Sequence, residues 1–256
     1  MYQRLVIKVG TNVLTRPDGR LDVSNISQLV DQIARLKAAG VSLVLVSSGA
    51  VGAGRALLPE PPDATTANSV AQRQVYSAIG QVRLMELYRQ LFAGHDLLCA
   101  QVLATKGDFR DERHYENMRN CFEALLHDQI VPVVNENDVV AVTELMFTDN
   151  DELAGLVARM LRANGLVILS SVDGLFSGPP EDPASRLLTA VSKDDGSIGG
   201  VVQDQKTSFG RGGMATKLRI AQQTARAGTP VLIGNGRRVG ILESVLAAEW
   251  PGTTVS

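Results

Sequence analysis

Two lysines stand where chemistry could use them: Lys8 inside the apolar "LVIKVG", and Lys217 at the end of "GRGGMATK". Between them lie a glycine-rich run, "LVLVSSGAVGAG" (43–54), and two clusters of short polar side chains, "NEND" (135–138) and "TDND" (148–151). Two cations, several carboxamides and carboxylates, and two glycine-rich loops together suit the binding of two anionic groups. The run at 43–54 nearly fits two nucleotide templates and fails both. It has the G-x-x-x-x-G spacing of a P-loop, but Arg55 and Ala56 replace the Lys and Ser/Thr that would reach phosphate and Mg²⁺. Its glycine order also differs from the dinucleotide fingerprint. "GRGGMATK" is more specific, because consecutive glycines free backbone amides, a helix N-terminus favours anions, and Lys217 falls on the first helical turn.

Each feature also has a purely structural reading. Lys8 could be a strand-end lysine that snorkels, "NEND" a turn of Asx type, and "TDND" a helix N-cap. The elements that must position these residues narrow the choice. Short β-branched runs, "RLVIKVG", "VSLVLVS", "LLCAQVL", "IVPVV", "LVILS" and "PVLIG", alternate with segments of helical period. Helices are expected after Ser24 as cap, ending at Gly40, then over about 68–92, 112–127, 150–163 and 214–227, and from Ile241 onward. A hairpin is expected through "VVAVTELMF", and a polar, Pro-rich passage covers about 179–195. Repeated strand, helix, strand predicts an α/β fold with a mostly parallel central sheet and helices on both faces. In such sheets ligands bind beyond the carboxyl ends of the strands, where the chemistry-bearing residues cluster.

Composition excludes several classes. With 256 residues, 45% hydrophobic, and a net charge of −2, the chain has no basic excess to draw nucleic acid. No uncharged run reaches the ~20 apolar residues of a membrane span, and Lys8 interrupts any signal-like N-terminus, so a cytoplasmic location is expected. Cys99 and Cys121 lack metal or redox spacing and are expected as buried free thiols; His95, His114 and His127 are scattered and suggest no zinc site.

Taken in order, "IKVGTNVLT", "VSSGAVGAG", "AIGQVRLMELY", "NENDVV", "DNDELA", "VDGLF" and "GGMATK" resemble the glutamate 5-kinase branch of the amino acid kinase family, over essentially the whole chain. The resemblance implies the amino acid kinase fold, an α/β/α sandwich, as a single domain over 1–256. Its N-terminal lobe, about 1–165, would serve glutamate and its C-terminal lobe, about 166–256, the nucleotide. The implied reaction is ATP-dependent phosphorylation of the L-glutamate γ-carboxylate to L-glutamyl 5-phosphate, the first step of proline biosynthesis, with Mg²⁺ entering through ATP rather than through protein ligands. Carried over by position, Ser48, Gly49, Asp138 and Asn150 would hold glutamate, and Lys8 and Lys217 would flank the transferring phosphoryl group with Asp151 holding both in place. Ser170 and Ser171 would lie by the nucleotide, and Arg211, Gly212, Gly213, Met214, Ala215 and Thr216 would join Lys8 and Lys217 around ATP. The resemblance also implies a homo-oligomer, dimer or tetramer, possible feedback inhibition by L-proline, and glutamyl phosphate reductase as pathway neighbour.

The chemistry agrees independently. A γ-carboxylate with pKa near ~4.3 is already an anion at neutral pH, so the site needs no base. It needs charge stabilisation, which lysines, amides and Mg²⁺ supply. Some positions depart from the family's pattern: Ser171 stands where Asp is common, and Thr148 where Gly is common. The sequence ends at Ser256, where many relatives continue into a small RNA-binding-like domain, which suggests a short form, natural or shortened. A related kinase such as an acetylglutamate kinase, or a non-catalytic amino-acid sensor on the same fold, remain as alternatives.

Overall fold

The computed structural model describes residues 2–58, 70–140, 147, 149–196 and 213–256. Its frame is an eight-stranded sheet in the order β3-β4-β2-β1-β5-β9-β10-β8. The strands are β1 Arg4–Val9, β2 Ser42–Ser47, β3 Cys99–Ala104, β4 Val131–Glu136, β5 Gly165–Ser170, β8 Ala190–Val191, β9 Val231–Asn235 and β10 Thr253–Val255; β6 Leu175–Phe176 and β7 Leu187–Leu188 form a separate small ribbon. All pairs of the large sheet are parallel except β9 with β10. The sheet runs without a break from β3 to β8, crossing the expected lobe boundary at β5.

Strand periodicity sorts the core into two layers. Leu5, Ile7 and Val9 of β1 face one cluster with Leu43, Leu45, Val133, Val167 and Leu169. Val6 faces the other with Val44, Val46, Val134, Leu166 and Ile168. The first layer is closed by α2 Val23–Ala38 and α4 Val70–Ala93, supplying Ile26, Leu29, Ile33, Leu84, Tyr88 and Phe92, and by α8 Glu243–Ala247 through Val245. The second is closed by α5 Glu112–His127, α6 Asn150–Met160 and α7 Met214–Arg226, supplying Phe122, Leu153, Val157, Leu218 and Ala221. Lys8 shares the parity of Val6, so it projects toward α6 and α7.

Several expectations change. Asp22, not Ser24, caps α2, because its carboxylate reaches the Asn25 amide at 3.3 Å. Two short helices, α1 Thr11–Leu14 and α3 Ala50–Arg55, appear where glycine and β-branched residues gave no helical signal. Asn135 and Glu136 belong to β4 rather than to a turn after it. Helix α6 ends at Met160, and α8 is a single short stretch. The Pro-rich passage contains β7 and β8, and the chain closes on β10. Cys121 is exposed and Cys99 half-buried, so the thiols are free but not core residues. Most of the expected hairpin falls on 141–146, outside the described residues, as does Thr148; Val139 and Val140 sit in the turn after β4. No helix among the described residues is long and apolar enough to cross a membrane.

Helix α3 exists because of tertiary contact. Gly49 enters it with φ +99°, a left-handed conformation that suits glycine. Gly54 of α3 and Gly80 of α4 then let the two helices meet backbone to backbone: a Cβ on Gly54 would run into the Tyr76 carbonyl, and one on Gly80 into the Ala50 carbonyl. Gly80→Ala is therefore expected to destabilise the protein by about 1–3 kcal/mol in urea unfolding. Gly196→Ala, at a position with open space, should stay within about 0.5 kcal/mol of the parent. Equal midpoints for the two variants would show that the helix crossing is not tight.

Candidate active site

Asp151 lies at the centre. It is fully buried on the first turn of α6, and each carboxylate oxygen meets one lysine: Oδ1 takes Lys8 Nζ at 2.8 Å and Oδ2 takes Lys217 Nζ at 3.0 Å. Burial alone would push this carboxyl up, but attraction to the two ammonium groups and their hydrogen bonds bring it down to about 2. Lys8 comes from β1 and is itself 4% exposed; Lys217 comes from the first turn of α7. Gly10, just past β1, leaves the space over the Lys8 ammonium open, since a Cβ there would sit 3.4 Å from Nζ.

Asp149 sets the start of α6. Its Oδ1 accepts from the Asp151 and Glu152 amides at 3.0 and 3.2 Å, while Oδ2 is buried with no hydrogen-bond partner among the described residues. Its pKa is raised, first by burial and then by the charge of Asp151, against the pull of Lys8 and Lys217. The sequence predicts only a cap here; the second oxygen, without a hydrogen-bond partner among the described residues, is a tertiary fact.

Next to Asp149, Asn150 reaches across to the end of β2. Its Nδ2 donates toward Ser47 O at 3.1 Å, Ser48 Oγ at 3.0 Å and Asn135 Oδ1 at 2.8 Å. Ser48 continues the sheet pattern through its amide, bonded to Val9 O at 3.1 Å, and Gly49 follows as the N-cap of α3. The buried Ser47 hydroxyl and Tyr88 hydroxyl lie 2.9 Å apart, tying this corner to α4. Ser48, Gly49 and Asn150 are thus brought together. Asp138 is not joined to them: its Oδ2 accepts from Ser77 Oγ at 2.9 Å and its Oδ1 lies 3.6 Å from the Arg73 guanidinium, both on α4.

On the other side of β1, Ser170 ends β5; its Oγ accepts from the Val172 amide at 3.2 Å, and Ser171 is exposed. Gly213 caps α7, with Met214, Ala215 and Thr216 in the turn that carries Lys217. The Met214 side chain is in the core, so a ligand could meet only its backbone. Arg211 and Gly212 lie outside the described residues.

Glu136, inside the "NEND" cluster, is a titratable group to which the sequence assigns no role of its own. It is buried at the end of β4, and burial pushes its carboxyl from 4.5 up to about 7, against a hydrogen bond from the Phe147 amide at 2.8 Å. Asp138 and Glu152 add to the rise and Arg73 opposes it. With Ser77, Gln81 and Asp138 it lines a cavity of about 270 Å³. Between pH 4.5 and 7 the folded protein holds a proton that the unfolded chain has released, so this group's contribution falls as pH rises through that window. Glu136→Gln keeps an oxygen for Phe147 and removes the titration. Its stability relative to the parent should therefore improve from pH ~5 to pH ~8 in urea unfolding. A constant difference across that range would show that Glu136 does not titrate there.

The amino acid kinase family pattern matches residues 3–235. The chain is 47% identical over 254 residues to the glutamate 5-kinase of Bacteroides thetaiotaomicron, spanning 99% of this chain and 69% of that protein. It is 47% identical over 253 residues to that of Chlorobaculum tepidum, with the same 99% and 69% coverage. Among solved structures, a Giardia lamblia carbamate kinase bound to AMP-PNP superposes with a TM-score of 0.70 at 17% identity, covering 99% of this chain and 98% of that one. An isopentenyl phosphate kinase superposes at 0.66 and 19% identity, covering 99% and 100%. At those identities the structural likenesses establish the fold alone. The family match and the relatives' identity go further: the chain belongs to the amino acid kinase family and, within it, to the glutamate 5-kinases.

Proposed function

We propose that the chain transfers the γ-phosphoryl group of ATP to the γ-carboxylate of L-glutamate, giving L-glutamyl 5-phosphate and ADP, the entry step of proline biosynthesis. The observation that carries this reading is the pair of lysines held 2.8 and 3.0 Å from the two oxygens of one buried carboxylate. A carboxylate oxygen attacks the γ-phosphorus and the bond to the ADP oxygen breaks; no proton leaves the acceptor. Nothing in the site therefore has to act as a base. The work is electrostatic: two anions must approach, and charge on the transferring group must be neutralised by preorganised donors. Asp151, at about 2, stays ionised at any working pH and is suited to orienting lysines rather than to taking protons.

Ser48, the Gly49 region and Asn150 support a glutamate site on the β2 side of β1; Ser170, Ser171 and the Gly213–Lys217 turn support a nucleotide site on the β5 side. Arg211 and Gly212 belong to the same proposed nucleotide loop. Asp138, tied to α4, would contribute by shaping that end of β4. L-Proline, as a competing amino acid, would occupy the Ser48 side. Mg²⁺ would enter with ATP, and to the expectation that it has no protein ligand we propose one exception: Asp149 Oδ2, buried without a hydrogen-bond partner among the described residues, fits such an ion, which takes one or two carboxylates together with phosphates and water. Bound there, Mg²⁺ would neutralise phosphate charge.

ATP consumption with L-glutamate, compared with N-acetylglutamate, aspartate and UMP, tests the assignment, with hydroxylamine present to trap an acyl phosphate. Turnover and hydroxamate with glutamate are expected; turnover with UMP instead would refute it. Lys8→Ala and Lys217→Ala should each lower kcat by on the order of 10²–10³. Ser48→Ala and Asn150→Ala should raise the KM for glutamate much more than that for ATP. Asp151→Asn should depress kcat at saturating glutamate without altering the shape of the pH profile above pH ~6. A profile made flat by that substitution, where the parent falls steeply toward low pH, would mean that Asp151 is a base after all.

A further inference from the structure

The hydrogen bonds of Asn150 continue into the core, and their direction is set by a group that cannot reverse. The backbone N–H of Glu136 donates to Asn135 Oδ1 at 2.9 Å, so Asn135 Nδ2 must point the other way, where it donates to Gln81 Oε1 at 2.9 Å. Turning the Gln81 amide over would set two donors against each other. The same Asn135 Oδ1 receives Asn150 Nδ2 at 2.8 Å, and that Nδ2 also reaches Ser48 Oγ at 3.0 Å. Ser48 is therefore an acceptor toward Asn150 and keeps its own proton for an acceptor elsewhere. Asn150 is left with Oδ1 as its remaining polar end.

Gln81 anchors this relay from α4. It is 7% exposed, and its Nε2 is buried with no partner among the described residues. An orphaned donor is a cost that an apolar side chain of the same size would not carry, so the useful end of Gln81 is the oxygen that holds Asn135. Its backbone is equally constrained, since it follows Gly80, which packs against the Ala50 carbonyl of α3. Among the described residues its hydrogen bond runs to Asn135, away from Lys8, Asp151 and Lys217.

We propose that Gln81 is a positioning residue for the amino-acid substrate: the Glu136 amide and the Ser47 carbonyl set the directions of Asn135 and Asn150, and Gln81, by accepting from Asn135 Nδ2, holds Asn135 in place so that Asn150 presents an acceptor suited to an ammonium group and Ser48 a donor suited to a carboxylate. This rests on the reading of Ser48 and Asn150 as glutamate contacts. The effect belongs to amino-acid affinity, not to phosphoryl transfer.

Steady-state kinetics of the full chain test it with Gln81→Met, Gln81→Glu, Ser48→Ala and the double variant Gln81→Met/Ser48→Ala. Gln81→Met should raise the glutamate KM roughly 3- to 10-fold, the size of one net hydrogen bond, with kcat and the ATP KM changed by less than about 2-fold. Gln81→Glu keeps an accepting oxygen and should restore most of the affinity. The double variant should exceed Ser48→Ala by clearly less than the factor of Gln81→Met alone, because part of the effect of Gln81 runs through Ser48 and the rest through Asn150. Should Gln81→Met fail to fold, Gln81→Asn, which draws the amide back by one carbon, carries the same expectation. Parallel rises in both KM values, a Glu variant as weak as Met, or additive effects in the double variant would overturn the proposal. A silent Gln81→Met beside a weakened Ser48→Ala overturns the positioning role alone; a silent Ser48→Ala overturns the glutamate-side reading and this inference with it.

Discussion

Removing a carboxylate from water costs several kcal/mol, and Asp151 is removed completely, so its ionised form depends on the two ammonium groups that enclose it. The carboxylate and its two ammonium partners come from three separate parts of the chain: a central strand and the first turns of two helices. The strand supplies Lys8, α6 supplies Asp151, and α7 supplies Lys217. The sheet order, the packing of α6 on α7 and the caps at both helix starts are all conditions for that one contact. Losing either lysine would leave an under-compensated charge in the interior, which makes the triad a stability constraint whatever else it does.

Strand parity then decides where the chemistry faces. Lys8 stands on the same side of β1 as Val6, in line with residues packed under α6 and α7, while its neighbours Ile7 and Val9 face α2 and α4. A shift of one residue in β1 would bury the lysine among aliphatic side chains with no carboxylate to meet. The parallel register with β2 and β5 places Ser48 on one flank of β1 and Ser170 on the other, the separation on which the two proposed substrate sites rest. That arrangement suits an in-line transfer between them.

The corner formed by Ser48, Asn135 and Asn150 is governed by a second kind of constraint, the direction of hydrogen bonds. Carboxamides can be read either way round, yet the Glu136 amide settles Asn135, and Asn135 settles both Gln81 and Asn150. Glycine-to-glycine contact between α3 and α4 brings Gln81 within reach of β4 and holds the loop after β2 in place. The glycines of "SSGAVGAG" thus serve helix packing at least as much as they free amides for a ligand, and this explains why the run matches neither nucleotide template.

The sequence by itself determined the alternation of strands and helices and marked Lys8, Ser48, Asn150, Asp151 and Lys217, which the fold brings into contact as Lys8–Asp151–Lys217 and Asn150–Ser48. Those features are local: apolar period, glycine placement, and polar residues at the ends of apolar runs are legible along the chain, and several short motifs in order resemble one family. What only the tertiary structure decided was pairing across distance. Nothing local says that Asp151 divides its oxygens between two lysines, that Asp138 turns to Ser77 and Arg73 instead of Ser48, or that Gln81 holds Asn135. Nor does "GAVGAG" read as a helix, because glycine disfavours one until a neighbouring backbone closes against it. Burial has the same character: Glu136 looks like any strand-end carboxylate until the folded chain removes it from water and lifts its pKa to about 7.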